Sequence, residues 1–222
     1  MIDKAAERPP LEDTLATALA QRHCPLCHIL ADKTYHLLCQ LQYDAVYDAE
    51  VRACVTATGG YCNFHFWYLE KLTSPITNAQ LLESLLERIR SEVLSGQNVP
   101  QQVSTRLATE ARCPACCACR KWEDDLLTLF AAKIPERGFQ VAYQRCRGLC
   151  LPHLVQILER LPDMEARGVL VTAAGHQLDI LMQELRLQVI KWQTKDRSPG
   201  EERDSTYRAI EKLVGGNKHR AR

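Results

Sequence analysis

Net charge is almost absent from this chain: 28 Lys and Arg stand against 27 Asp and Glu over 222 residues, leaving +1. A nucleic-acid-binding surface needs a clustered basic surplus. The only basic run, Lys218-His219-Arg220-Ala221-Arg222, reads as a solvated end, so nucleic acid is not an expected partner. Long apolar runs are missing too. The greasiest stretch, Gly168 to Ile190, is interrupted by His176, Asp179, Glu184 and Arg186, and no membrane span is expected. Met1 to Arg8 lack the apolar core of a secretory signal, which predicts a cytoplasmic protein in a reducing compartment. No segment shows strand alternation bounded by hairpin turns. There is no nucleophile–base signature, no phosphate-cradling glycine loop and no dinucleotide fingerprint. These absences argue against an enzyme. What remains, 46% apolar and 25% charged residues, is ordinary for a soluble globular chain with a real core.

Cysteine is abundant, with eleven residues, and most of them are patterned. Cys24-Pro25-Leu26-Cys27 is followed by Cys62-Asn63-Phe64-His65; Cys113-Pro114-Ala115-Cys116 is followed by Cys150-Leu151-Pro152-His153. The intervals between the pairs are 34 and 33 residues, and a glycine, Gly60 or Gly148, stands two positions before each second pair. Each pass supplies three sulfur donors and one imidazole, the donor set of a closed tetrahedral zinc site. In a reducing compartment such cysteines are expected as ligands or free thiols rather than disulfides. The spacing predicts one Cys3His metal site per pass: Cys24, Cys27, Cys62 and His65 in the first, Cys113, Cys116, Cys150 and His153 in the second.

Helical periodicity runs nearly throughout. A helix carrying Leu30, Leu37, Leu38 and Leu41 follows Cys27, and a second spans Ala45 to Thr58 before Gly59-Gly60. A third runs from Cys62 to Leu72, and an amphipathic one from Asn78 to Leu94. The second half repeats this order from Cys116, with Pro135 to Arg147 as a short element, a helix from Cys150 and a long helix over Asp163 to Gln193. Aligning the passes gives offsets of 89 and 88 residues. The expected architecture is all-α, a duplicated unit of about four helices per half. The predicted divisions are a first repeat over 11–96, a second over 101–195, and a C-terminal helix and basic tail over 196–222.

The two CPxC…GxCxxH passes, with Gly200-Glu201-Glu202-Arg203-Asp204-Ser205 and then Arg208-Ala209-Ile210-Glu211-Lys212-Leu213-Val214-Gly215, resemble a bacterial and archaeal family catalogued as a domain of unknown function. The resemblance spans about Cys24 to Gly215 and implies a small helical metal-binding protein, with no established activity to transfer. Cys117, Cys119 and Cys146 stand outside the shared pattern and are candidate accessory thiols.

Ligands on a first helical turn lie beside unpaired backbone N–H groups and the positive end of the helix dipole, which stabilise thiolate. Four protein donors leave no position open for water, so such a site is structural. The sequence therefore predicts a non-enzymatic protein with two structural zinc sites, acting as an interaction or accessory module for another protein. The alternative is a redox or electron-transfer accessory holding one or two iron–sulfur clusters, to which the surplus thiols would suit. The remaining candidates read plainly. Cys39 and Cys54 are expected as small core residues, and Trp67, Trp122 and Trp192 as core aromatics. His23 and His28 flank the first CPLC, and His36 and His176 are isolated.

Overall fold

Four helices of this chain begin on a cysteine. In the computed structural model, which describes residues 9–72, 75–93, 109–198 and 200–216, the carbonyls of Cys24, Cys62, Cys113 and Cys150 accept the first helical bonds, from the N–H groups of His28, Phe66, Cys117 and Leu154 at 2.9–3.0 Å. Each cysteine is thus the N-cap residue, and the second ligand of its motif, three positions on, closes the first turn. Side chains at these two positions face one another across the helix start, the geometry that capping boxes exploit. Pro25, Pro114 and Pro152 sit in those first turns, where a missing N–H costs nothing.

The described residues are all-helical, without strands. The helices are α1 (Leu11–Leu19), α2 (Pro25–Tyr47), α3 (Ala49–Ala57), α4 (Asn63–Leu72), α5 (Pro75–Arg88, continued by a π turn over Ile89–Val93), α6 (Pro114–Lys133), α7 (Arg137–Arg145), α8 (Leu151–Arg160), α9 (Met164–Thr194) and α10 (Ser205–Val214). No helix among them is long and apolar enough to cross a membrane. The helix expected from Ala45 begins later. α2 continues to Tyr47, and Asp48, in an extended conformation, caps α3 by accepting the N–H groups of Glu50 and Val51 at 2.8 and 3.3 Å. Asp163 caps α9 in the same way, each cap contributing about 1 kcal/mol. Gly59, Gly60 and Gly148 take φ between 80° and 86°, where a Cβ would be strained.

The chain packs as two compact units, one of residues 1–31 with 123–222 and one of residues 32–122. The division falls inside α2 and α6. In the first unit α1 packs on α7, α10 on α8, and α9 on both α7 and α10. Its core holds Leu15, Leu26, Leu30, Leu126, Phe130, Tyr143, Ile157 and Leu170, all with at most 1% exposure. In the second unit α3 packs on α5, and Leu38, Val55, Tyr61, Leu69 and Leu81 enclose Cys62, Cys113 and Cys116. Asn78 to Arg88 is helical as expected, burying Leu81 and Leu85 while Leu82 and Leu86 are exposed. The junction expected between the repeats, at 96 to 101, and the basic tail lie outside the described residues.

Some expected core residues are not in the core. Trp67 and Trp192 are 62% and 82% exposed; Trp122 is half-buried with the Lys33 ammonium 5.3 Å above its ring. Cys54 is exposed and Cys39 half-buried. Helical spacing fixes which side chains share a stripe, but packing alone decides which stripe is covered.

Candidate metal centres

All eight sequence-predicted donors are buried and fall into two groups of four, in pairings opposite to the expectation. Cys24, Cys27, Cys150 and His153 form one centre; Cys62, His65, Cys113 and Cys116 form the other. Each CPxC joins the CxxH of the other pass, not its own. One centre lies wholly in each compact unit. Within each, the donor atoms lie within 4.8 Å of one another.

In the Cys24 centre, His153 Nδ1 stands 3.4 Å from Cys24 Sγ, 3.4 Å from Cys27 Sγ and 3.2 Å from Cys150 Sγ, and Cys27 Sγ is 3.7 Å from Cys150 Sγ. In the Cys62 centre, His65 Nδ1 stands 3.3, 3.5 and 3.3 Å from the sulfurs of Cys62, Cys113 and Cys116, and Cys62 Sγ is 3.6 Å from Cys116 Sγ. A tetrahedral ion with Zn–S bonds of about 2.3 Å and a Zn–N bond of about 2.0 Å sets sulfurs about 3.8 Å apart and sulfur about 3.6 Å from nitrogen. Donor type, number and spacing therefore fit one small ion per centre. All eleven cysteines are free, with no disulfide.

The surroundings of the Cys24 centre tune it. The other ring nitrogen of His153, Nε2, lies 3.2 Å from the Glu123 carboxylate, and both side chains are buried. This is the carboxylate–histidine arrangement that orients a metal ligand, leaving Nδ1 facing the sulfurs with its lone pair. Gly216 N–H donates to Cys27 Sγ at 3.3 Å. Burial would raise the Cys24 thiol, but contacts from Cys150 and Cys27 and the charge of His153 hold it well below its ordinary value. Burial likewise works against an imidazolium at His153, yet the charge on Cys24 and the contacts with Cys150, Cys24 and Glu123 hold it well above its ordinary value. Cys27 is raised by the protons it shares with Cys150 and Cys24. In the Cys62 centre burial raises Cys113 and Cys116. A bound cation replaces such shared protons.

Sequence reasoning missed Glu123. The signal was present: on α6 it continues the stripe of Cys116, Cys119, Leu126, Leu127 and Phe130, an acid set among buried residues at helical spacing. Glu123→Gln keeps the shape but loses the carboxylate charge. It is expected to weaken metal binding at the Cys24 centre by about 10–100-fold and to leave the Cys62 centre unchanged, read by competition with a colorimetric chelator. Equal affinity in both proteins would show that Glu123 does not support the ligand.

The accessory thiols separate. Cys117 is exposed, its sulfur accepting from Arg120 Nη2 at 3.1 Å and its S–H directed to Ala111 O at 3.3 Å. Cys119 is buried, 3.1 Å from Thr34 Oγ1. Cys146 is buried too; it accepts the Gly148 N–H at 3.1 Å, and burial pushes it up to about 11. None of the three joins a donor group. Brief alkylation of the native protein is expected to label Cys54 and Cys117 first, with Cys119, Cys146 and the eight donors protected, as peptide mapping would show. Labelling of Cys119 ahead of Cys117 would contradict this placement.

His23 is not a donor: its Nδ1 pairs with Glu211 at 2.9 Å. The charged side chains Arg208, Glu211 and Lys212 of α10 are buried, while Ile210, Leu213 and Val214 are exposed, the reverse of an ordinary amphipathic helix. No curated protein and no solved structure matches the chain. A family model described as a family of unknown function matches residues 7–220. With both CPxC…GxCxxH passes and the C-terminal segment inside that span, the chain belongs to this family, DUF6062.

Proposed function

We propose that the protein is a non-enzymatic accessory or interaction module whose two units are each held by one structural zinc ion. The observation that carries this reading is the closed set of four buried donors in each centre. Four protein ligands fill a tetrahedral ion and leave no place for an activated water. The sulfur–sulfur spacings of 3.6 and 3.7 Å suit a single ion. The four ligands of an iron–sulfur cluster are divided among two or four irons, which sets some of their donor atoms farther apart than on a single ion. Zinc would supply cross-linking of two helix starts and nothing redox-active. The matched offsets of the two passes, and the N-cap geometry common to all four motifs, support reading the chain as a duplicated unit whose metal-binding halves have exchanged partners. The reading places the protein in the cytoplasm with another protein as its partner.

Elemental analysis of anaerobically purified protein tests this. About two zinc per chain and a colourless solution are expected. Brown colour with iron and acid-labile sulfide would replace the reading with that of an electron-transfer accessory.

A further inference from the structure

Beside the Cys24 centre lies a cavity of about 230 Å³ within the unit formed by residues 1–31 and 123–222. Its walls carry five basic side chains, Arg22, Arg145, Arg147, Arg208 and Lys212, beside one lining carboxylate, Glu211, and the sulfurs of Cys24, Cys146 and Cys150. They converge from distant parts of the chain: the segment before α2, the end of α7 and the loop after it, and α10. We infer that this cavity binds a small, doubly charged oxyanion, of the chemistry shared by inorganic phosphate, sulfate and short dicarboxylates. None of the five is a metal ligand, although Cys24 and Cys150 of the neighbouring centre line the same cavity.

Three of the arginines, Arg22, Arg147 and Arg208, are held by the carboxylates of Glu184, Glu201 and Asp204 before any ligand arrives. Glu184 on α9 bridges Arg147, at 3.2 Å, and Arg208; Asp204 pairs with Arg208 at 2.8 Å and with Arg22 at 3.6 Å. A guanidinium has five N–H donors, so these pairs orient it without exhausting it, and fixed forks suit bidentate binding of carboxylate or phosphate. Glu211 is occupied by His23 at 2.9 Å, which reduces its opposition to an anion.

Lys212 is the most telling wall residue. It is 7% exposed, and its Nζ donates to Arg147 O at 3.2 Å and Gln177 Oε1 at 3.4 Å. An ammonium has three donors, and no carboxylate among the described residues forms an ion pair with it, although the sulfurs of Cys24, Cys146 and Cys150 and the Glu211 carboxylate act on it electrostatically. Gln177 is itself fixed, donating to Tyr143 O and Cys146 O at 3.4 and 3.2 Å. Gly148 completes the wall: at φ 80° a Cβ there would stand 1.7 Å from Gln177 Oε1 and 2.8 Å from Lys212 Nζ. The volume admits an ion of several heavy atoms but not a nucleotide, whose pockets are several hundred Å³.

Titration calorimetry on the full-length, metal-loaded protein, with sodium phosphate, sulfate and malonate against sodium chloride at matched ionic strength, tests the proposal. Saturable one-to-one binding of at least one of the three is expected, and which of them binds tightest separates phosphoryl from carboxylate ligands. Lys212→Met should weaken binding at least about tenfold and Arg145→Gln, at an exposed position, several-fold, as expected for lost charge-assisted bonds. Zinc content and helical circular dichroism should stay unchanged. Should Lys212→Met fail to fold, Arg145→Gln decides alone. No saturable binding, a chloride response equal to the others, or unaltered affinity in Arg145→Gln would overturn the inference. So would loss of metal from Lys212→Met without any anion binding by the parent protein, which would make Lys212 a counter-charge for the thiolates. Anion binding that survives in a protein found to hold no zinc would sustain this inference and reject the metal reading.

Discussion

Replacing Cys24 and Cys62 together by serine should leave the protein with no tightly held metal, whereas replacing Cys24 and Cys150 together should leave about one ion per chain. The two double variants remove the same number of thiols, and they differ only in which thiols share a centre. Cys24 and Cys150 both approach His153 Nδ1, at 3.4 and 3.2 Å, while Cys62 approaches His65 at 3.3 Å. A tetrahedral site reduced to three ligands still binds weakly; one reduced to two donors is lost. After dialysis against a moderate chelator, Cys24→Ser with Cys62→Ser damages both centres, and Cys24→Ser with Cys150→Ser damages one twice. If each pass closed on its own metal, the stoichiometries would be reversed. Mass spectrometry under native conditions reads the result directly, and equal metal content in the two variants would remove the crossed pairing.

The helical class, the eight candidate donors and the helix starts at the four cysteine motifs were legible in the sequence because each rests on a local rule. A cysteine N-cap with a ligand three positions on is a property of one helical turn, and proline in that turn reinforces it. The pairing was not legible because it depends on lengths. α2 has 23 residues and α3 has 9, about 34 Å and about 14 Å long at 1.5 Å per residue. The five residues from Thr58 to Cys62 reach at most about 17 Å when extended. Gly59 and Gly60 instead turn back, donating to Thr56 O and Val55 O at 3.0 Å. In the structure the CxxH of the first pass groups with the CPxC of the second. Reading a new helix from Ala45 concealed the full length of α2, which runs to Tyr47. Glu123 and the inward-facing Arg208, Glu211 and Lys212 were hidden for a different reason. Charged residues on a helix read as its solvated face, and only the packing of α6 and α10 against their neighbours shows the charges turned inward.

Removal of metal should unfold rather than merely loosen the units, and a single ligand variant should come close to the same result. The Cys62 centre is not attached to the core of residues 32–122; it forms part of that core. Cys62, Cys113 and Cys116 are 4%, 0% and 7% exposed, enclosed by Leu38, Val55, Tyr61, Leu69 and Leu81. The centre brings together the starts of α4 and α6 across about fifty residues of sequence, so the loop entropy that a bound ion would offset is large. Structural zinc contributes on the order of 10–16 kcal/mol in small sites, comparable to the whole stability of an ordinary domain, about 5–15 kcal/mol. Cys62→Ser should thus lower Tm by more than about 10 °C, while Cys39→Ser, at a half-buried position outside both centres, should change it by no more than about 3 °C. Hydrogen exchange in Cys62→Ser should rise first over residues 32–122, the unit that has lost its ion. A strong chelator should likewise abolish the cooperative melt of the parent protein, and added zinc should restore it. Equal shifts for the two variants would show that Cys62 holds no metal, and a chelated protein melting as before would show that neither centre is structural.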